Sequence, residues 1–204
     1  MGTWLRSFRW HNIRQLDAVS RELLARLWAA GGGLKDLAGP LTIDLDSTIV
    51  LVYGRGKQGA AFGYTKVRDY HPQLATCPET GQVLFCRLRG GNAGAARGAK
   101  SFLTETVSRV RHAGATSPLT VRADSAFYSR AVLLTDRMLD VRFSITVRQD
   151  PKIKAAIAAI PEDAWKQAIS PLKSWDLLRK IRCSTTRITN LVQAVLVLHL
   201  AATG

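Results

Sequence analysis

Residues 41–50 read LTIDLDSTIV, and this string dictates much of what the chain can become. Leu41, Ile43 and Leu45 alternate with Thr42, Asp44 and Asp46, and an apolar run over residues 49–52 follows. Period two with β-branched residues predicts a strand, which the apolar run should close. Two carboxylates on one side of a strand are costly to place unless a cation sits between them. A solvated strand face, or an Asx-type turn at Asp46 and Ser47, is the plain reading. The apolar setting favours a divalent-metal or phosphoryl-transfer site.

Around this strand the pattern changes period. Leu16, Val19, Leu23 and Leu27 lie at helical spacing within residues 16–30, with Arg21 and Arg26 off that face. The triplet Gly31, Gly32 and Gly33 ends the helix. Residues 53–64, YGRGKQGAAFGY, form a glycine-rich basic loop or hairpin without the spacing of a P-loop. A turn at Thr80 and Gly81 leads into a strand over 82–88, then a small-residue loop, GGNAGAARGA, at 90–99. Phe102, Val107 and Val110 predict a helix over 99–112. A strand at 119–123 ending on Asp124, a helix at 130–139, a strand at 141–147 and a helix opened by Pro151 complete the readable pattern. Past Trp165 no period is evident. Strands followed by alternating helix and strand fit an α/β chain with a mixed sheet covered by helices.

Charge narrows the partner. The 204 residues hold 29 Lys+Arg against 15 Asp+Glu, formally +14. Such a surplus implies a polyanion, nucleic acid being the commonest, with nonspecific surface charge as the alternative. Cys77, Cys86 and Cys183 form no C-x-x-C pair, which fits a reducing compartment and argues against a zinc site. The start lacks an apolar signal core, and the longest apolar tract, residues 191–202, is too short to span a bilayer. A soluble, intracellular protein without membrane contact is expected.

Asp46 and Asp124 stand in comparable places, 124 − 46 = 78 residues apart. On neighbouring strands they could share Mg2+, a hard cation that prefers oxygen ligands. Such ions stabilise the attacking and leaving oxygens of a phosphoryl displacement. Asp124 taken alone could equally cap the following helix.

Five strings in order, LTIDLDSTIV, YGRGKQGAAFGY, DYHPQLA, LRGGNAGAARGA and VRADSAFYS, resemble the catalytic core of group-one DDE transposases of bacterial insertion sequences. The resemblance covers residues 41–162. It implies a ribonuclease-H-like fold, a mixed five-stranded sheet with flanking helices. It also implies cleavage and transfer of double-stranded DNA, at element ends and target, with Mg2+ or Mn2+ as cofactor. Carried over by position, the first acid falls on Asp46 and the second on Asp124, with Asp44 as a further metal-ligand candidate. Arg55, Lys57, Arg68, Arg97 and Lys100 are candidate DNA contacts, and a homo-oligomer forms around paired ends. The cellular place implied is the bacterial cytoplasm, associated with the nucleoid. The family's third acid, a glutamate on a later helix, has one counterpart past Asp124, Glu162, in a segment unlike the family's helix. The expected organisation is a helical N-terminal stub and linker at 1–40, a catalytic core at 41–150 and a degenerate or rearranged segment at 151–204. An incomplete, truncated enzyme follows from that reading.

Two rivals remain. The D-x-D-x-T string also resembles the nucleophile motif of haloacid-dehalogenase-like phosphatases, with Asp44 as nucleophile and Asp46 as general acid. Asp136 and Asp140 are spaced too widely for that family's later acidic pair. A non-catalytic basic domain would use the same arginines and lysines as phosphate contacts and bind with steep salt dependence. His71 suits a turn or hydrogen-bonding role, and Trp165 and Trp175 suit apolar anchoring.

Overall fold

Alternation builds the strand expected at residue 41. In β1 (Leu41–Ser47), Leu41, Ile43 and Leu45 are buried while Thr42, Asp44 and Asp46 lie on the opposite, more open face. The computed structural model describes residues 7–162 apart from 35, 55 and 149. Its remaining elements are α1 (Trp10–Ala29), β2 (Val50–Leu51), β3 (Ala61–Phe62), β4 (Arg68–Tyr70), β5 (Gln73–Cys77), β6 (Gln82–Arg87), α2 (Ala99–His112), β7 (Leu119–Ala123), α3 (Arg130–Met138), β8 (Arg142–Ile145) and α4 (Pro151–Ala158).

Five strands form the main sheet in the order β6-β5-β1-β7-β8. β5 and β6 pair antiparallel, as do β1 and β5, whereas β1–β7 and β7–β8 are parallel. The chain returns from β6 through α2 to lay β7 parallel to β1, and crosses from β7 through α3 to β8. The mixed sheet with helices that the resemblance implied is therefore present. α2 packs on β6 and α3, and α3 on β8, burying Ile43, Val121, Phe143 and Ile145 against Phe102, Leu103, Val107 and Val132. Phe85 and Phe102 stack with ring centroids 4.9 Å apart, and the Arg109 guanidinium lies 4.1 Å from the Phe85 ring centre.

β1 does not continue into the apolar run. Its last ladder pair is Ser47 with Gln73. The next partner would be Pro72, which has no N–H to extend the antiparallel ladder. Thr48 N–H still donates to the Pro72 carbonyl, and the chain then leaves the sheet. Val50 and Leu51 join a separate small sheet, β2-β4-β3, with both side chains largely exposed.

α1 is longer than its apolar spacing suggested and seats on a different face. Leu16, Val19, Leu23 and Leu27 are exposed; Leu24 and Trp28 are the buried ones. Polar anchors set this seat. Buried Arg109 of α2 pairs with Asp17, and Trp28 Nε1 donates to Gln82 Oε1 at 2.8 Å. Gly33 folds over the indole so closely that a Cβ there would lie 2.3 Å from the Trp28 ring.

At α3 the N-cap is Ser129, whose Oγ accepts from Val132 N–H at 3.3 Å. Capping is thus not the work of Asp124. Ser129→Ala is expected to cost about 1 kcal/mol, the usual worth of a serine cap, read as a lower denaturation midpoint at an unchanged m-value.

Candidate active site

The parallel register of β1 on β7 brings the sequence motifs together. Leu41 faces Leu119, Asp44 faces Arg122 and Leu45 faces Ala123. The offset is 122 − 44 = 78 residues, the offset that also relates Asp46 to Asp124. The pairing ends at Leu45 with Ala123, so Asp46 and Asp124 each follow directly on the last paired residues of two neighbouring strands. Both stand at the carboxyl ends of central parallel strands, where α/β sheets place their ligands. Both are exposed.

Each acid is held locally. Asp46 Oδ1 accepts from Ser47 N–H at 2.7 Å, and Asp124 Oδ1 accepts from Ala126 N–H at 3.0 Å. These bonds hold one oxygen of each side chain and leave the second without a hydrogen-bond partner among the described residues. Exposed oxygen donors suit a hard divalent cation that keeps part of its water shell. Among the described residues, no group of three His, Cys, Asp or Glu side chains could hold a metal ion, Glu162 included.

Asp44 has a different engagement. Arg122 reaches it across the ladder, Nε to Oδ1 and Nη2 to Oδ2, both at 2.5 Å. This bidentate pair occupies both oxygens and keeps Arg122 charged, its pKa raised above the ordinary arginine value chiefly by the bond to Asp44. A nucleophilic Asp44, as the phosphatase reading requires, would have to give up that pair. Sequence reasoning did not link Asp44 to Arg122; the shared 78-residue offset of D-x-D and R-x-D was the available signal.

The wall beside Asp46 is assembled from DYHPQLA and the small-residue loop. His71 is buried; its Nδ1 lies 2.6 Å from the Ala93 carbonyl and its Nε2 3.1 Å from Ser47 Oγ. A carbonyl only accepts, so Nδ1 carries the proton and, in the neutral ring, Nε2 accepts from Ser47. Gln73 Nε2 donates to the Ala95 carbonyl at 2.8 Å. Arg89 donates from Nε to the His71 carbonyl and from Nη1 to the carbonyls of Gly94 and Arg97. Burial, then the nearby cations Arg87 and Arg97, lower the Arg89 pKa. Three side chains thereby fasten residues 93–97, and His71 links them to Ser47 at the end of β1.

Of the candidate DNA contacts, Lys57, Arg97 and Lys100 are exposed. Arg68 braces the loop after β2, donating to the carbonyls of Gly54 at 2.8 Å and Lys57 at 3.4 Å. Arg55 lies outside the described residues. Cys77 is buried and Cys86 exposed, both as free thiols; Cys183, Trp165 and Trp175 are outside the described set. No helix among the described residues is long and apolar enough to cross a membrane.

Strand order and mixed pairing, with helices flanking the sheet, define a ribonuclease-H-like fold. The chain matches the transposase DDE domain, group 1, over residues 5–187 and belongs to that family, whose work is DNA transposition. The match begins before and ends after the 41–162 stretch on which the motifs lie. Among solved structures, the catalytic domain of Mos1 mariner transposase is similar at 10% identity and TM-score 0.39, covering 97% of this chain and 91% of that one. The Mos1 catalytic domain with Raltegravir and Mg is similar at 11% identity and TM-score 0.39, over 90% and 87% of the two chains. A Mos1 paired-end complex with the left transposon end matches at 12% identity and TM-score 0.39, over 97% and 62%. Among curated proteins, none matches the chain.

Proposed function

We propose that Asp46 and Asp124 hold Mg2+ or Mn2+ at the carboxyl ends of β1 and β7, and that DNA strands are cut and joined there. The observation that supports this reading is the register of β1 on β7, whose last pair, Leu45 with Ala123, immediately precedes the two acids. The ion, when bound, supplies Lewis-acid stabilisation of phosphoryl oxygens. The chain's own part is to place the carboxylates, through the Ser47 and Ala126 N–H groups, and to hold the wall beside them through His71, Gln73 and Arg89. Asp44 serves the sheet: its charge neutralises Arg122 two residues before the acids on each strand. Lys57, Arg97 and Lys100 meet the phosphate backbone of duplex DNA, the ends of a mobile element and its target. Two protomers acting on paired ends complete the reading.

Nicking of labelled duplex DNA with Mg2+, with Mn2+ and with EDTA tests it. Cutting is expected with either ion and not in EDTA. Phosphomonoesterase activity that disappears in Asp44→Asn would instead make Asp44 a nucleophile. DNA binding without cutting under any ion would reduce the chain to a binding domain.

A further inference from the structure

The small sheet beside the acids has a surface that strand cleavage alone does not use. Phe62 and Tyr64 are 68% and 78% exposed, and Tyr53, just after β2, is 82% exposed. Leaving three aromatic rings in water forgoes a large burial gain. Between residues 50 and 68 the chain has four basic residues, Arg55, Lys57, Lys66 and Arg68, and no acidic one. Aromatic side chains among cations, without acids, match an unpaired nucleic-acid strand, whose bases stack while its phosphates are neutralised.

The rings are presented by a braced scaffold. Register places Phe62 opposite Arg68 and Val50 opposite Tyr70. The Tyr70 hydroxyl donates to the Gln58 carbonyl at 2.8 Å, and Arg68 holds the carbonyls of Gly54 and Lys57. Tyr64 sits in a turn closed by Lys66 N–H donating to the Gly63 carbonyl at 3.1 Å. Thr65 Oγ1 donates to buried Asp69 at 2.9 Å, tying that turn down. Gly91 packs against the same aspartate, so closely that a Cβ there would meet Asp69 Oδ1 at 2.1 Å. A braced backbone leaves less to order when a base stacks on the rings it carries.

Position relates this surface to the acids. The Tyr64 ring centre lies 6.3 Å from that of His71, whose Nε2 contacts Ser47, the residue after Asp46. We infer that Phe62 and Tyr64 form a stacking platform for unpaired bases of a DNA strand whose scissile phosphate lies at Asp46 and Asp124. The inference rests on the metal-site reading only for the position of that phosphate. It assigns the 50–68 segment a single-strand role that phosphate contacts alone would not give it.

Fluorescence anisotropy in EDTA tests the platform with the full chain. Probes are a labelled single-stranded oligonucleotide, the same oligonucleotide with abasic sites, a blunt duplex and heparin, a polyanion without bases. Phe62→Ala and Tyr64→Ala are each expected to weaken single-strand binding about tenfold, with duplex and heparin binding and the salt slope unchanged. Tyr64→Phe should bind as the parent does, and the abasic strand should bind the parent as weakly as the intact strand binds the alanine variants. Equal loss on heparin or duplex, or no loss on the single strand, would overturn the platform. Both side chains are exposed, so the variants should fold, and a thermal midpoint checks this. EDTA silences cleavage, so a failed nicking assay leaves this result standing, and a failed platform leaves nicking standing.

Discussion

Asp46→Asn and Asp124→Asn are each expected to lower metal-dependent nicking about 10^3-fold, the worth of several kcal/mol of lost charge stabilisation. Asparagine keeps the shape and the oxygen that accepts from Ser47 N–H or Ala126 N–H. What disappears is one negative charge from a described site that has two. Metal affinity measured by titration calorimetry should fall with activity, while the thermal midpoint without metal stays close to that of the parent. Asp44→Asn should show the reverse. Its loss leaves Arg122 without a carboxylate, so stability drops, while the acids at the strand ends remain. The pair is partly exposed, with side-chain exposures of 33% for Asp44 and 28% for Arg122, so solvent screening keeps that drop small. Nicking that survives in both Asp46→Asn and Asp124→Asn would end the proposal that these acids hold the ion.

The sheet was legible where one face is buried and the other is not. Leu41, Ile43 and Leu45 announced β1, and Phe102, Val107 and Val110 announced α2, because burial repeats with the period of the element. Two features escaped for the same physical reason: long-range contacts overrode local pattern. The apolar residues 49–52 looked like the end of a core strand, yet a proline on the neighbouring strand, Pro72, stops the ladder. Leu16, Val19, Leu23 and Leu27 looked like a buried stripe, yet Asp17 and Trp28 decide how α1 sits, through Arg109 and Gln82. β4 and β5 were obscured because only His71 and Pro72 separate them, and only pairing with β1 and the small sheet defines them. As for the site, two acids could be named from their strings, but their adjacency depends on register. Nothing local in the sequence says that the strand carrying Asp46 pairs with the strand that leads to Asp124.

Asp136→Asn is expected to stabilise the protein by about 4 kcal/mol at pH 7. The Asp136 carboxyl is fully buried on α3, and neither of its oxygens has a hydrogen-bond partner among the described residues. Burial alone pushes its pKa from 3.8 up to about 8. The folded protein therefore keeps this proton through a range in which the unfolded chain has released it. The native state binds more protons there, so stability falls as pH rises from about 4 to about 8, by roughly 1.4 kcal/mol per unit. Below pH 4 both states are protonated and the penalty vanishes; above 8 both are ionised and it is constant. Asparagine resembles the neutral acid, with similar unsatisfied polar groups, and so removes the ionisation cost alone. Urea midpoints of parent and variant should converge near pH 4, separate steadily to pH 8 and then run parallel. The +14 charge of the chain acts on both proteins and cancels from the difference. A gap that does not change with pH would mean that Asp136 is ionised in the fold, with its charge met by a partner.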